Sequence, residues 1–139
     1  MCGVDGSPHW QTPAEVLTPG RFKVMMLSAA ATGCPGFAIY SGRYLDAKFY
    51  LAADECMAAI APVEDVLLDG KVIPCEVKVD LPSADANFRS ICKEYKGRKV
   101  LSLINFHFTE KAEVEFVNGG KKVKMTIDPL DGKFVELAK

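Results

Sequence analysis

The hydrophobic pattern changes period once along this chain, near Asp69 and Gly70, and that change constrains the fold more than any other feature. Ahead of it, apolar residues recur at helical spacing. Behind it they alternate, as on strands with one buried face. A chain of 139 residues has room for one ordinary domain, or for a small domain and part of another. The pattern therefore separates residues 1–69 from residues 70–139.

In the front half, the first dozen residues lack periodicity and read as a loop. Thr18 and Pro19 are a helix start, Thr as N-cap and Pro where its missing N–H costs nothing. Phe22, Met25, Met26, Ala29 and Ala30 follow at helical spacing. Gly33 closes the helix as a left-handed cap, and Pro35 blocks its continuation. Residues 36–40, Gly-Phe-Ala-Ile-Tyr, form the short apolar run of a strand buried on both faces. After a turn at residues 41–43, Asp46 is a second N-cap, with Leu45 and Tyr50 as a hydrophobic staple. Phe49, Ala53, Cys56, Met57 and Ile60 make the buried stripe of this helix, and Pro62 ends it. Helix, buried strand, helix is the grammar of an α/β protein with a parallel sheet.

In the rear half, residues 75–79 alternate, residues 88–95 are strand-compatible, and residues 99–108 are strongly apolar and β-prone. Residues 113–116 alternate again. Asn118, Gly119 and Gly120 signal a hairpin into residues 123–127. A turn at residues 128–132 leads to a last strand at residues 133–137. Short strands, close turns and no helix imply a small antiparallel β-sandwich. The fold class is α+β overall.

The apolar strand of the front half has no partner of its own pattern, so its backbone groups need pairing from elsewhere. Two arrangements answer that need. Residues 1–69 can be the tail of a larger α/β domain, or the helices can pack outside the β-domain with residues 37–40 joining its edge. The residues themselves leave both open.

A formal net charge of −1, with Lys and Arg spread along the chain, argues against nucleic acid or an anionic membrane as partner. The longest apolar run, residues 24–31, is under half of the about 20 residues a spanning helix needs. The first residues carry neither the basic nor the apolar region of a signal peptide. The five cysteines are widely and irregularly spaced, and neither His9 nor His107 stands at zinc spacing from one. Free thiols in a reducing compartment such as the cytoplasm fit them better than a disulfide scaffold, and no metal or cofactor is expected.

Residues 18–40, a helix rich in small residues that ends in Gly33 and leads into a Gly-hydrophobic-Tyr strand, resemble the end of a bacterial glycoside hydrolase (β/α)8 barrel. Residues 44–50 and 60–70 are similar to the eighth helix and its exit into a C-terminal β-sandwich. Residues 100–106, Val-Leu-Ser-Leu-Ile-Asn-Phe, are similar to a Val-Leu-x-Leu-x-Asn-Phe strand common in such sandwiches. The resemblance implies that residues 1–69 are the last βα units of an incomplete barrel, a helix–strand–helix tail, and that residues 70–139 are the C-terminal β-sandwich domain. It implies a C-terminal fragment of a glycoside hydrolase-like protein acting on carbohydrate and inactive alone. Such enzymes use two carboxylates on different barrel strands, and the strands that would carry at least one of them are absent here. The resemblance therefore identifies no catalytic residue in this chain. The alternative is a non-catalytic binding or structural module with the front helices packed on the sandwich.

Within that frame the candidate carbohydrate-binding residues are His9 and Trp10, in the loop before the first helix, and Tyr40 and Arg43, at and just after the end of the eighth strand. Trp10 could stack on a sugar ring and His9 could hydrogen-bond its hydroxyls, although packing and surface roles are the ordinary alternatives. Asp5 and Glu15 are weaker acids near the same loops. Asp46 is explained by capping. Glu64 and Asp65 lie in the exit linker, solvated or bracing the domain junction. Alternation would put Asn105 and His107 on one strand face, opposite Phe106 and Phe108. An unpaired strand edge in the front half would be a surface for self-association.

Overall fold

The computed structural model describes residues 17–37 and 46–138. Helix α1 (Pro19–Ala31) starts as its sequence requires: the Thr18 side chain accepts from the Arg21 amide at 3.2 Å, with Pro19 in the first turn. It ends at Gly33, whose φ of 90° lets the Gly33 and Cys34 amides donate back to the Ala30 and Ala29 carbonyls. Helix α2 (Ala47–Ile60) is capped by Asp46, which accepts from the Lys48 and Phe49 amides at 2.9 and 3.4 Å.

Pro62 does not end the helical run. A single 3-10 turn, Ala61–Val63, carries the chain into a third helix, α3 (Glu64–Asp69), across the stretch expected to be a linker. Pro62 sits in the first turn of the 3-10 segment, where no amide is needed, so the axis shifts and helix resumes. Gly70 then stops it. Its amide donates to the Val66 carbonyl at 3.0 Å, and a Cβ at Gly70 would collide with that same oxygen.

The remaining elements are β1 (Lys71–Ile73), β2 (Val77–Asp80), a one-turn helix α4 (Ala84–Asn87), β3 (Phe88–Tyr95), β4 (Arg98–Asn105), β5 (Ala112–Asn118), β6 (Lys121–Ile127) and β7 (Asp131–Leu137). They form two antiparallel sheets, ordered β1-β3-β4-β7 and β2-β5-β6. The α+β class is as the pattern implies, with α4 as an added turn in the half expected to lack helix.

The layers stack as helices, four-stranded sheet, three-stranded sheet. Val100 and Ile104 of β4 join Phe22, Leu27, Ala31, Cys56 and Val66 in a core under the helices. Leu101 and Leu103, on the opposite face of the same strand, join Val114, Phe116 and Ile127 in the sandwich core. The buried stripes differ from the simple helical reading. Met25 and Met57 are 41% and 50% exposed, while Val24, Leu27 and Ala31 of α1 and Ala52 of α2 are buried. Helix α1 touches both α2 and the sheet, so its buried face is broader than one stripe.

Ionic contacts fasten the layers at two corners. Arg98, at the start of β4, forks onto Glu136 at 2.8 and 3.1 Å and reaches Asp65 at 2.8 Å and the Pro62 carbonyl at 3.0 Å. Lys23 pairs with Glu55 at 3.1 Å and Asp131 at 2.9 Å, joining α1, α2 and the start of β7.

Because one strand serves both cores, damage to either face should weaken the whole. Ile104→Ala and Leu103→Ala are each expected to cost about 2–4 kcal/mol. In urea unfolding followed by far-ultraviolet circular dichroism, both variants should keep one transition at a lower midpoint. A variant that splits the curve into two would show that the layers unfold separately.

Candidate functional site

The described polar groups that leave water do so along the four-stranded sheet. The first is Lys93. On β3 the residues facing the helices are Ile91, Lys93 and Tyr95. Lys93 is only 5% exposed, and its Nζ donates to the Leu67 carbonyl at 2.5 Å, at the C-terminal end of α3. A cation there meets the partial negative charge of the last helical carbonyls. Gly33 makes the space: a Cβ at that position would lie 3.0 Å from Nζ. Among the described residues no carboxylate pairs with Lys93. Burial pulls its pKa below the ordinary lysine value, so the carbonyl does not fully offset the loss of water.

A lysine with a depressed pKa can serve as base or nucleophile. Here the amine faces a helix end, and Lys93 lines neither of the two surface clefts described below. Its evident work is to hold the ends of α1 and α3 against β3.

The second group is Asn105, fully buried at the end of β4. Its Nδ2 donates towards the carbonyls of Glu110, Ile127 and Asp128 at 2.9, 3.2 and 3.2 Å, and its Oδ1 accepts from the His107 amide at 2.9 Å. One side chain thus ties the β4–β5 loop to the end of β6. The strand stops here, so Asn105 and His107 do not share a strand face as alternation suggested. His107 folds into the loop instead, its Nδ1 accepting from the Thr109 and Glu110 amides at 3.3 and 2.9 Å.

Several described carboxylates are committed to cations. Arg98 holds Glu136 below the usual carboxylate range, chiefly by direct hydrogen bonds. Asp65 joins the same cluster, which braces the junction of helix and sheet. Among the described residues, no three metal-ligating side chains converge.

Two clefts open to the surface. One of about 370 Å³ is lined by Val79, Ala84, Asp85, Phe88, Arg89 and Ser90. Another of about 240 Å³ lies between α1 and α2, beside Lys23, Lys48, Leu51 and Glu55. His9, Trp10, Tyr40 and Arg43 lie outside the described residues, as do Asp5 and Glu15. The second cleft stands near the N-terminal ends of α1 and α2.

For two of the three described buried polar residues, Lys93 and Asn105, the sequence contained a signal of burial but not of the partners. Lys93 lies in a strand with apolar or aromatic residues at Ile91, Cys92 and Tyr95, on both faces. Asn105 closes an apolar strand where a polar side chain must find backbone partners. No described helix is long and apolar enough to cross a membrane. Compared with protein-family models, with curated proteins and with solved structures, the chain matches none.

The depressed pKa of Lys93 has a signed consequence. Between its folded value and about 10.4 in the unfolded chain, the unfolded state binds more protons, so this group's contribution to stability rises with pH. The stability of the wild type minus that of Lys93→Met should therefore grow from pH 7 to pH 10 in urea titrations. Thiol ionisation is common to both proteins and cancels. A difference that stays flat would mean that Lys93 titrates as an exposed lysine.

Proposed function

We propose that the chain is the C-terminal part of a glycoside hydrolase-like protein acting on carbohydrate: the last helical units of its catalytic barrel, carried on a β-sandwich and inactive alone. The observation that supports this most is the pairing of α1 with α2 on either side of an apolar run. Phe22 of α1 packs edge-on against Phe49 of α2 with ring centres 5.7 Å apart, Lys23 of α1 reaches Glu55 of α2 at 3.1 Å, and Gly33, after α1, approaches the Leu67 carbonyl of α3. Neighbouring helices connected through a strand-like apolar run are the pattern of βα units. The sequence between these helices contains the apolar run at residues 36–40.

The outer side of the helical layer agrees with this reading. Tyr50 and Leu51 on α2 are 59% and 64% exposed, and Met25, Met57 and Leu68 are also uncovered. Apolar side chains on that side suit helices that meet further barrel structure there. A second reading, a non-catalytic module folded as one unit, draws support from the core shared by helices and β4.

One measurement tests the claim of inactivity and a second separates the two readings. The purified chain should not hydrolyse aryl glycosides, and the genomic sequence upstream of Met1 should encode the earlier barrel strands in the same frame. Turnover by the isolated chain would overturn the claim of inactivity. An unrelated upstream frame would favour the self-contained module.

A further inference from the structure

The connection from the four-stranded to the three-stranded sheet passes through Cys75. Ile73, the last residue of β1, pairs with Cys92 of β3, and β1 ends at the sheet edge. Side chains at positions 73 and 75 of an extended chain face the same way, here towards the sandwich core that contains Cys92. Cys75 is half-buried, Cys92 is buried, and Cys75 packs against the same core cluster that holds Cys92. The other described cysteines are differently placed. Cys34 donates to the Gly36 carbonyl at 3.1 Å, and Cys56 to the Lys23 carbonyl at 3.7 Å. Neither of these has a thiol partner among the described residues.

We propose that Cys75 and Cys92 are a dithiol site that closes to a disulfide under peroxide, fastening the crossover between the two sheets to the centre of β3. Cys75, the more accessible sulfur, reacts first. Its thiolate attacks the peroxide O–O bond, one oxygen stays on sulfur as a sulfenic acid, and the other leaves as water after protonation. The Cys92 sulfur then attacks the Cys75 sulfur. The S–OH bond breaks, and hydroxide takes the proton of Cys92 to leave as a second water. In sum, two thiols and one hydrogen peroxide give one disulfide and two waters; the sulfurs lose two electrons and the peroxide gains two. The order of events follows from burial. The Cys92 thiol is pushed up to about 11, first by loss of water and then by Cys75, so it ionises poorly and acts second.

The bond would close a loop from position 75 to position 92 and restrict the unfolded chain. For a loop of that size the melting temperature should rise by roughly 10 °C. The test uses the full 139-residue chain, reduced and then exposed to a small excess of hydrogen peroxide. Peptide mapping without reductant should recover the Cys75–Cys92 link, the melting temperature should rise, and dithiothreitol should reverse both. Cys75→Ala, at a half-buried position, should fold and show neither change, whereas Cys34→Ser should show both. Cys75 ending as sulfinic acid, or linked to a different cysteine while Cys92 stays free, would overturn the proposal.

Discussion

From residue 100 to residue 105, β4 meets water on neither face. Its side chains alternate between two cores: Val100 and Ile104 support the helices, while Leu101 and Leu103 support the second sheet. Its backbone is paired on both edges, to β3 and to β7. A strand in that position cannot shift register by one residue without exchanging its two sets of side chains, so it fixes both layers at once. The ionic corners and buried polar groups stand around it. Arg98 opens the strand, Asn105 closes it, and Lys93 lies on its neighbour β3 beneath the end of α3.

This dependence explains why the change of period at Gly70 does not separate two independent cores. Gly70 marks the passage from helix to strand, and the steric limit at the Val66 carbonyl makes that passage abrupt. The side chains of the helices nevertheless cross it and pack on β3, β4 and β7. The helical layer is thus joined to the sandwich on one side and presents apolar residues on the other.

The sequence made some of this readable and hid the rest for identifiable reasons. The caps at Thr18, Gly33 and Asp46 act within one or two turns, so local rules locate them. The strands from β2 onwards follow alternation and turn chemistry, with boundaries displaced by a few residues. Pro62 misled because a proline tolerated in a first turn is indistinguishable, in one sequence, from one that ends a helix. Met25 and Met57 misled because the buried face of a helix depends on how many neighbours it meets. Lys93 and Asn105 depend on contacts between residues distant in the chain, and no local pattern contains those. The same holds for Cys75 and Cys92, whose proximity follows from the β1–β3 register. The carbohydrate-binding candidates at His9, Trp10, Tyr40 and Arg43 rest on the resemblance to barrel ends, and they remain part of the proposal.

Native-state hydrogen exchange tests the central claim most directly, namely that β4 binds helices and sandwich into one cooperative unit. Amides in the middle of α1, such as Leu27, and of β4, such as Leu101, should open with the same free energy, equal to that of global unfolding. Exchange in α1 and α2 at a free energy lower than that of β4 by about 2 kcal/mol or more would contradict the account, and would mean that the helical layer detaches while the sandwich remains folded.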